Sequence, residues 1–413
     1  MCPRNPRPDL AAPLEGMGIK MNIENMVKSS RCVQCGMCSF VCPVKAVSMV
    51  FNKKRGFYFP RVSRSLCVDC GKCCKYCPAF HNDKKNTLMG SYENLLLAHS
   101  NNMHIRRGST SGGVINELIR YLIEKKIVKA AIVTAASPYS PVLAEPVVIN
   151  ENNIHELLER PRDFASRYVS VPVLSKLREV KKYKGRIAVV GTPCQINALS
   201  MEGIYPMEVI KIGIACSGGM SCQATEQYKR YMHLPKAAMY YRGEGWPGKN
   251  SLKSKESVLE FPHQGSLFER MFTSQIFKNP ACRHCHDQFA ENADISFCDF
   301  WNRAEMNSEK DGNSCVIIRN QLMLPIFQGA VEEKRIDIVR SLREEEVIET
   351  QMQVLKMKKG NMHENLKFKI FMHLIDIIFR FKLYRIFRFR IYQKFCSFYG
   401  RLCSESEIDL AED

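Results

Sequence analysis

Apolar residues fall along this chain in two rhythms. Leu95–Ala98, Ala130–Thr134, Arg186–Val190, Val209–Ala215, Ala293–Phe297 and Cys315–Ile318 are short and almost continuously apolar. Such runs mark strands covered on both faces. Val114–Lys126 instead repeats its apolar positions at helical spacing, and Cys194–Ser200 starts a second helix. Strands alternating with helices predict an α/β domain with a mixed sheet. Ahead of it, Ala46–Phe51 and Phe57–Pro60 read as two short strands around the basic turn Asn52–Gly56. Gly243–Ser251 and Glu260–Gly265, poor in apolar residues, read as exposed loops.

The rhythm changes after Leu366. From there to Arg401 stand Lys367, Lys369, Arg380, Lys382, Arg385, Arg388, Arg390, Lys394 and Arg401 against the single acid Asp376. Aromatic and aliphatic residues such as Phe368, Phe371, Ile377, Phe381 and Phe395 interleave with them. Charges interrupt the stretch too often for a spanning helix, which needs roughly 18 or more apolar residues. Two readings remain: a basic helix lying in the plane of a membrane surface, or a helical hairpin packed on the protein's own surface.

Composition narrows the class. The 413 residues allow two or three domains. Nineteen cysteines in so long a chain do not describe a disulfide miniprotein, and a reducing cytoplasm is expected. No basic stretch followed by an apolar core opens the sequence. Met1–Leu14 is Pro-rich and reads as disordered, with Met17 and Met21 as alternative starts. The net charge of +18 calls for an acidic partner: an external ferredoxin, a phosphorylated cofactor or an anionic membrane face. No helix-turn-helix, finger or RNP-like pattern supports nucleic-acid binding.

The chemistry begins with two copies of CxxCxxCxxxCP: Cys32, Cys35, Cys38, Cys42, Pro43 and Cys67, Cys70, Cys73, Cys77, Pro78. Four thiolates at that spacing closed by proline match the bacterial two-cluster ferredoxin pattern, in which the fourth cysteine of each run crosses to the other cluster. One 4Fe-4S cluster is therefore expected on Cys32, Cys35, Cys38 and Cys77, and a second on Cys67, Cys70, Cys73 and Cys42. Paired CxxC units also hold zinc, but the repeated pattern with both prolines favours clusters. Further on, Arg107, Gly108, Ser109, Thr110, Ser111, Gly112 and Gly113 precede the Val114 helix. Such a turn can cradle a phosphate or flavin, and it can equally be an ordinary helix cap. Val190–Gln195 ends a strand with Cys194, and Cys282-Arg283-His284-Cys285 supplies another CxxC. With Cys194 and Cys216 this CxxC could assemble a third cluster or a zinc site, which spacing alone does not separate. His284 and His286 flank it as alternative ligands. Cys74 falls outside the repeat, and Cys2, Cys222, Cys315, Cys396 and Cys403 read as free thiols.

These motifs together resemble the family of coenzyme F420 hydrogenase and dehydrogenase beta subunits, with a ferredoxin module fused in front. The resemblance rests on Gly108–Gly113, Ser166–Val169, Val190–Gln195, the strand ending at Cys216, Cys282–Cys285 and Ala293–Trp301. It implies an FAD flavoprotein with a 4Fe-4S cluster of its own, held by Cys194, Cys282, Cys285 and Cys216. The flavin would be lined by Arg107–Gly113 with Ser166, Arg167 and Tyr168. Two departures stand out. Cys298 replaces a usual glycine and reads as a small buried residue, and Ala-Cys-Ser-Gly-Gly surrounds Cys216 where many relatives carry Cys-His-Gly. The expected architecture is a tail over 1–24 and an α+β two-cluster ferredoxin-like module over 25–85. An α/β flavin-binding domain with a mixed sheet follows over 88–345, then basic amphipathic helices over 346–413. The expected activity is electron transfer between the ferredoxin clusters and FAD, with hydride exchange to coenzyme F420 or another small molecule. The alternative is a non-enzymatic electron-transfer subunit docking on a partner enzyme or membrane complex, peripheral at the inner membrane face. Clusters with a purely structural role in an interaction protein are a third reading.

Overall fold

The computed structural model describes residues 23–408 except 82–86, 141, 202, 204–207, 256, 361–364, 388 and 407. Residues 1–22 of the expected tail, Cys2 and most of the His81–Asn86 linker lie outside the described residues. The last two residues of that tail begin a helix, Ile23–Lys28. Ile23 and Met26 lie on one side of it and bury against Cys38, Cys42 and Cys77. That packing, hidden from local sequence, holds the segment in place.

Among the described residues the strands are β1 (Val47–Asn52), β2 (Phe57–Val62), β3 (Asn94–Ser100), β4 (Ala130–Ala136), β5 (Ala144–Ile149), β6 (Ile187–Gly191), β7 (Val209–Ile214), β8 (Ala238–Tyr240), β9 (Lys249–Lys253), β10 (Val258–Pro262), β11 (Ile295–Asp299), β12 (Ser314–Ile318) and β13 (Ile336–Ser341). β1 and β2 form a hairpin within the cysteine-rich segment. Eight strands form one mixed sheet in the order β13-β3-β12-β11-β7-β6-β4-β5. Its centre, β11-β7-β6-β4, is parallel, and antiparallel strands flank it on both sides.

The continuous apolar runs follow from this layout. Ala131 and Val133 of β4 face a cluster with Leu118 and Leu122 of the Val114–Glu124 helix. Ala130 and Ile132 face the other side, against Val173, Leu174 and Leu177. With both faces covered, most positions of β4 are core, and each fully buried Val, Leu or Ile side chain contributes about 1.5–3 kcal/mol.

The two segments expected as exposed loops run partly into strand, at Lys249–Ser251 of β9 and Glu260–Pro262 of β10. β8, β9 and β10 form a small antiparallel sheet, and Asn250, Ser251 and Leu252 are buried within it. Its buried polar groups are paired, as where the Arg242 N–H donates to Asn250 Oδ1 at 2.9 Å. Polar residues that find partners in a core carry no apolar rhythm, so the sequence reads as loop.

Among the described residues of the C-terminal region, Glu344–Lys359, Leu366–Arg380 and Phe389–Ser404 are α-helices and Leu383–Ile386 is a short 3-10 turn. Phe368, Phe371, Ile375, Ile378 and Tyr392 are buried among Tyr228, Phe268 and Phe277. Of the two readings of this region, packing on the protein's own surface describes that inner face. Among the described residues no helix is long and apolar enough to cross a membrane.

The cysteine-rich segment is sewn onto the larger sheet by backbone contacts. Leu174 N–H donates to Cys35 O at 2.9 Å and Cys222 N–H to Gly56 O at 3.1 Å. The Arg178 guanidinium reaches Ser39 O and Cys42 O, and Asn279 Nδ2 donates to Cys32 O at 3.1 Å.

Candidate functional site

In open α/β sheets, ligands gather outside the carboxyl ends of the parallel strands. Here that edge collects the cysteines. Cys194 opens the Pro193–Leu199 helix just past β6, where Thr192 and Gln195 form a capping box. Thr192 Oγ1 lies 3.4 Å from Cys194 Sγ. Cys216 follows β7, fixed by its N–H to Gln288 O at 3.0 Å. Cys282 and Cys285 lie on the short turn that begins at Pro280, after the Asn279 cap.

The four thiols come within electrostatic reach of one another. Burial pushes the Cys194 thiol well up, and Cys285, Cys216 and Cys282 add to the rise. Burial, then Cys216 and Cys285, take Cys282 up to about 11. Peptide N–H groups of Gly218 and Gly219 point at Cys216 Sγ and Cys282 Sγ at 3.3 and 3.4 Å. The buried Lys358 ammonium lies 3.4 Å from Cys285 Sγ and donates to Asp287 O. Burial opposes its charge, and Cys285, Cys216 and Asp287 outweigh burial, so its pKa is raised. At Lys278 burial prevails over Cys282 and Cys216 and takes the pKa down to about 8. Four thiols with N–H donors on sulfur and a nearby ammonium fit an iron–sulfur cluster, whose charge and potential such groups tune.

In the ferredoxin segment, Cys38 and Cys77 both stand in the electrostatic field of Cys32, Cys35 and Cys73, with desolvation the larger cause of their raised pKa values. Cys32, Cys35, Cys38 and Cys77 thus lie near one another across the two runs, with Cys73, expected on the second cluster, in the same field. Cys42, Cys67 and Cys73 pack in the same apolar cluster as Cys38 and Cys77, and Cys70 is exposed. Among the described residues no group of three or more His, Cys, Asp or Glu side chains closes to the spacing of a single metal ion. Cys298 is buried on β11 opposite Cys315 of β12. Cys74 and Cys222 are also buried. His286 Nδ1 contacts Lys358 O at 2.8 Å.

The expected flavin residues are also neighbours. Ser166 N–H donates to Thr110 Oγ1 at 2.6 Å, which joins the two segments. The hydroxyls of the glycine turn, expected to serve a ligand, hold the turn itself. Ser111 donates to Asn313 O, and Ser109 Oγ accepts from Asn116 Nδ2. Arg107 pairs with Asp311. Two glycines are required by packing, since a Cβ on Gly108 would meet Pro161 at 2.5 Å and one on Gly112 would meet Ala98 O and Ser314 N at 2.8 Å. Arg167 is different. Its Nη2 donates to Arg162 O and Asp163 O, its Nε is buried without a hydrogen-bond partner, and the residue borders a small cleft of about 50 Å³ at the carboxyl end of β4 with Ser137, Val169, Tyr240 and Tyr241. A cationic donor left open beside a cleft fits an anionic group such as a cofactor phosphate. Tyr168 stacks on His263, with ring centroids 6.1 Å apart.

Sequence reasoning missed Lys278, Lys358 and Arg242. Arg242 is buried just ahead of the segment that reads as loop, and it grips Asp299 at 2.6 and 2.9 Å. Trp246 donates to the same carboxylate at 3.2 Å and stacks on Trp301. The Asp299-Phe300-Trp301 motif was the available signal, since a buried carboxylate needs a cation.

A ferredoxin-type cysteine segment sewn to a sheet whose carboxyl edge gathers four more thiols is the build of an iron–sulfur protein. Comparison with known families agrees: residues 31–80 match the 4Fe-4S dicluster domain. Residues 95–178 and 184–344 match the N- and C-terminal parts of the coenzyme F420 hydrogenase/dehydrogenase beta subunit. The chain belongs to that family. Among its relatives, an F(420)H(2) dehydrogenase subunit of Methanosarcina mazei is 29% identical over 207 residues, 47% of this chain and 55% of that one. The coenzyme F420-dependent sulfite reductase of Methanocaldococcus jannaschii is 25% identical over 369 residues, 82% of this chain and 52% of that one. This chain thus spans about half the length of each. The coenzyme F420 hydrogenase subunit beta of Methanothermobacter thermautotrophicus is 21% identical over 262 residues, 59% of this chain and 83% of that one. The fold is shared with a chain of the F420-reducing NiFe hydrogenase complex from Methanosarcina barkeri, at a TM-score of 0.52 and 19% identity over 68% of this chain and 94% of that one.

Proposed function

We propose that the chain is an iron–sulfur flavoprotein that passes electrons between two ferredoxin-type clusters, a third 4Fe-4S cluster and FAD. The observation that carries this reading is the meeting of Cys194, Cys216, Cys282 and Cys285 at one sheet edge, with N–H donors and the Lys358 ammonium on their sulfurs. In this reading Cys32, Cys35, Cys38 and Cys77 hold one cluster, Cys67, Cys70, Cys73 and Cys42 the second, and the four edge thiols the third. FAD, when bound, supplies the conversion between single electrons and the two-electron hydride exchanged with coenzyme F420 or another small molecule. Arg167 would hold its phosphate from the β4 cleft, beside Arg107–Gly113, Ser166 and Tyr168. Lys358 and Lys278 offset thiolate charge, and the Gly218 and Gly219 N–H groups orient the sulfurs. An acidic redox partner suits the net charge, and the C-terminal helices are where the chain meets its surroundings at the inner face of a membrane.

A second reading, an electron-transfer subunit without flavin, is favoured by one observation: the hydroxyls of the glycine turn are engaged by the protein itself. Anaerobic purification with iron, sulfide and acid-released flavin counted per chain decides between them. About twelve iron atoms and one FAD are expected for three clusters plus flavin. About eight iron atoms without flavin would sink the flavoenzyme and leave the second reading.

A further inference from the structure

The Leu366–Arg380 helix carries two apolar faces. One is buried, with Phe368, Phe371, Met372, Ile375 and Ile378 in the core. The other faces solvent: Leu366 is 70% exposed, Ile370 61%, Leu374 46% and Ile377 36%. At helical spacing these fall in one narrow arc, which Phe381 (65% exposed) and Ile386 (79%) extend past the helix end. Cations border the arc. Lys367 lies on one side at helical spacing, Lys369 and Arg380 on the other, and all three are exposed. The helix's one acid, Asp376, falls next to Lys369 on that margin, where it is paired with Arg283. A stripe of large aliphatic residues between basic margins, about 22 Å long at 1.5 Å per residue, is matched to the boundary of acyl chains and anionic headgroups. A protein partner would have to supply both an apolar groove and two acidic rims, whereas an anionic bilayer supplies both at once.

We propose that this outer face of Leu366–Arg380, with Phe381 and Ile386, seats the protein in the plane of an anionic lipid surface. The inference deepens the membrane contact proposed above, commits it to lipid, and does not depend on cofactor content. The aliphatic side chains enter the acyl boundary while Lys367, Lys369 and Arg380 stay at headgroup level. Binding therefore requires both features and weakens with salt.

The test is sedimentation of the full-length protein with phosphatidylcholine vesicles, with and without phosphatidylglycerol. Binding is expected only to the anionic vesicles and should fall as salt rises. Because Ile370 and Ile377 lie outside the buried core cluster, I370E/I377E should keep the wild-type iron content and melting temperature and bind at least about tenfold more weakly. K367E/K369E should lose most of the salt-sensitive part. No binding to anionic vesicles, or I370E/I377E binding like wild type, overturns the proposal. So does a wild-type dimer in solution that I370E/I377E converts to monomer while vesicles bind neither, which would make the stripe a contact between copies. Iron and flavin counted on the same preparation keep failure here distinct from failure of the redox reading.

Discussion

The two cysteine regions are built on opposite principles. In the ferredoxin segment eight thiols come from two runs of eleven residues, Cys32–Cys42 and Cys67–Cys77, so most of each proposed ligand set lies in local sequence. At the sheet edge, Cys194, Cys216 and the Cys282–Cys285 pair come from three separate connections after β6, after β7 and before β11. Their meeting depends on the parallel centre of the sheet, not on any one segment. The first site needs a short loop to keep its shape, while the second needs the whole α/β fold.

The largest effect expected from this contrast is on iron content. Cys194→Ser should remove about four iron atoms per chain and leave the ferredoxin signals in the electron paramagnetic spectrum intact. Cys35→Ser should remove about four from the other region. Loss of all iron in either variant would show that the regions assemble as one. Gly112→Ala comes next. Its Cβ would press on the backbone at Ala98 and Ser314, at the start of the strand that pairs with β11. A loss of about 2–4 kcal/mol in denaturant unfolding is expected, and with it iron at the sheet edge before iron in the ferredoxin segment. Unchanged stability would detach the edge site from this packing. Lys358→Met removes the ammonium near Cys285. Without it the reduced, more negative site is less stabilised, so one potential should become more negative by on the order of 50 mV while the others stay in place. The smallest effect belongs to Asp376→Ala, which breaks the part-exposed pair with Arg283 between Cys282 and Cys285. A stability change of about 0.5 kcal/mol is expected, and a shift in the spectrum of the edge site would sharpen the link between the C-terminal helix and the CxxC turn.

The same contrast explains what the sequence made legible. The central strands announced themselves because both faces are covered, which leaves continuous apolar runs from Ala130, Ile187, Val209 and Ser314. Edge strands did not. β5 contains Pro146 and β13 alternates irregularly around a bulge, and both stand at the ends of the sheet where fewer neighbours constrain them. β9 was hidden by polar residues whose partners lie elsewhere. At the sites, thiolate spacing is chemistry written in the chain. Lys278 and Lys358 are not, because a lysine beside a sulfur and a lysine on a solvated helix look alike until the fold brings Glu344–Lys359 over the CxxC turn. Arg242 reached Asp299 in the same way, from just ahead of a segment with no apolar rhythm.

The backbone stitches from Leu174, Arg178, Cys222 and Asn279 to the cysteine-rich segment bear on how fast current can flow. Redox proteins that carry a tethered module often wait for it to swing between donor and acceptor, and their rates then slow in viscous solvent. A module pinned at several points along its own ligand loops has no arm to swing. In the proposed relay, internal electron passage would be a matter of hopping distance and driving force, and glycerol or sucrose should leave its rate unchanged. Only the arrival of an outside partner would feel the solvent.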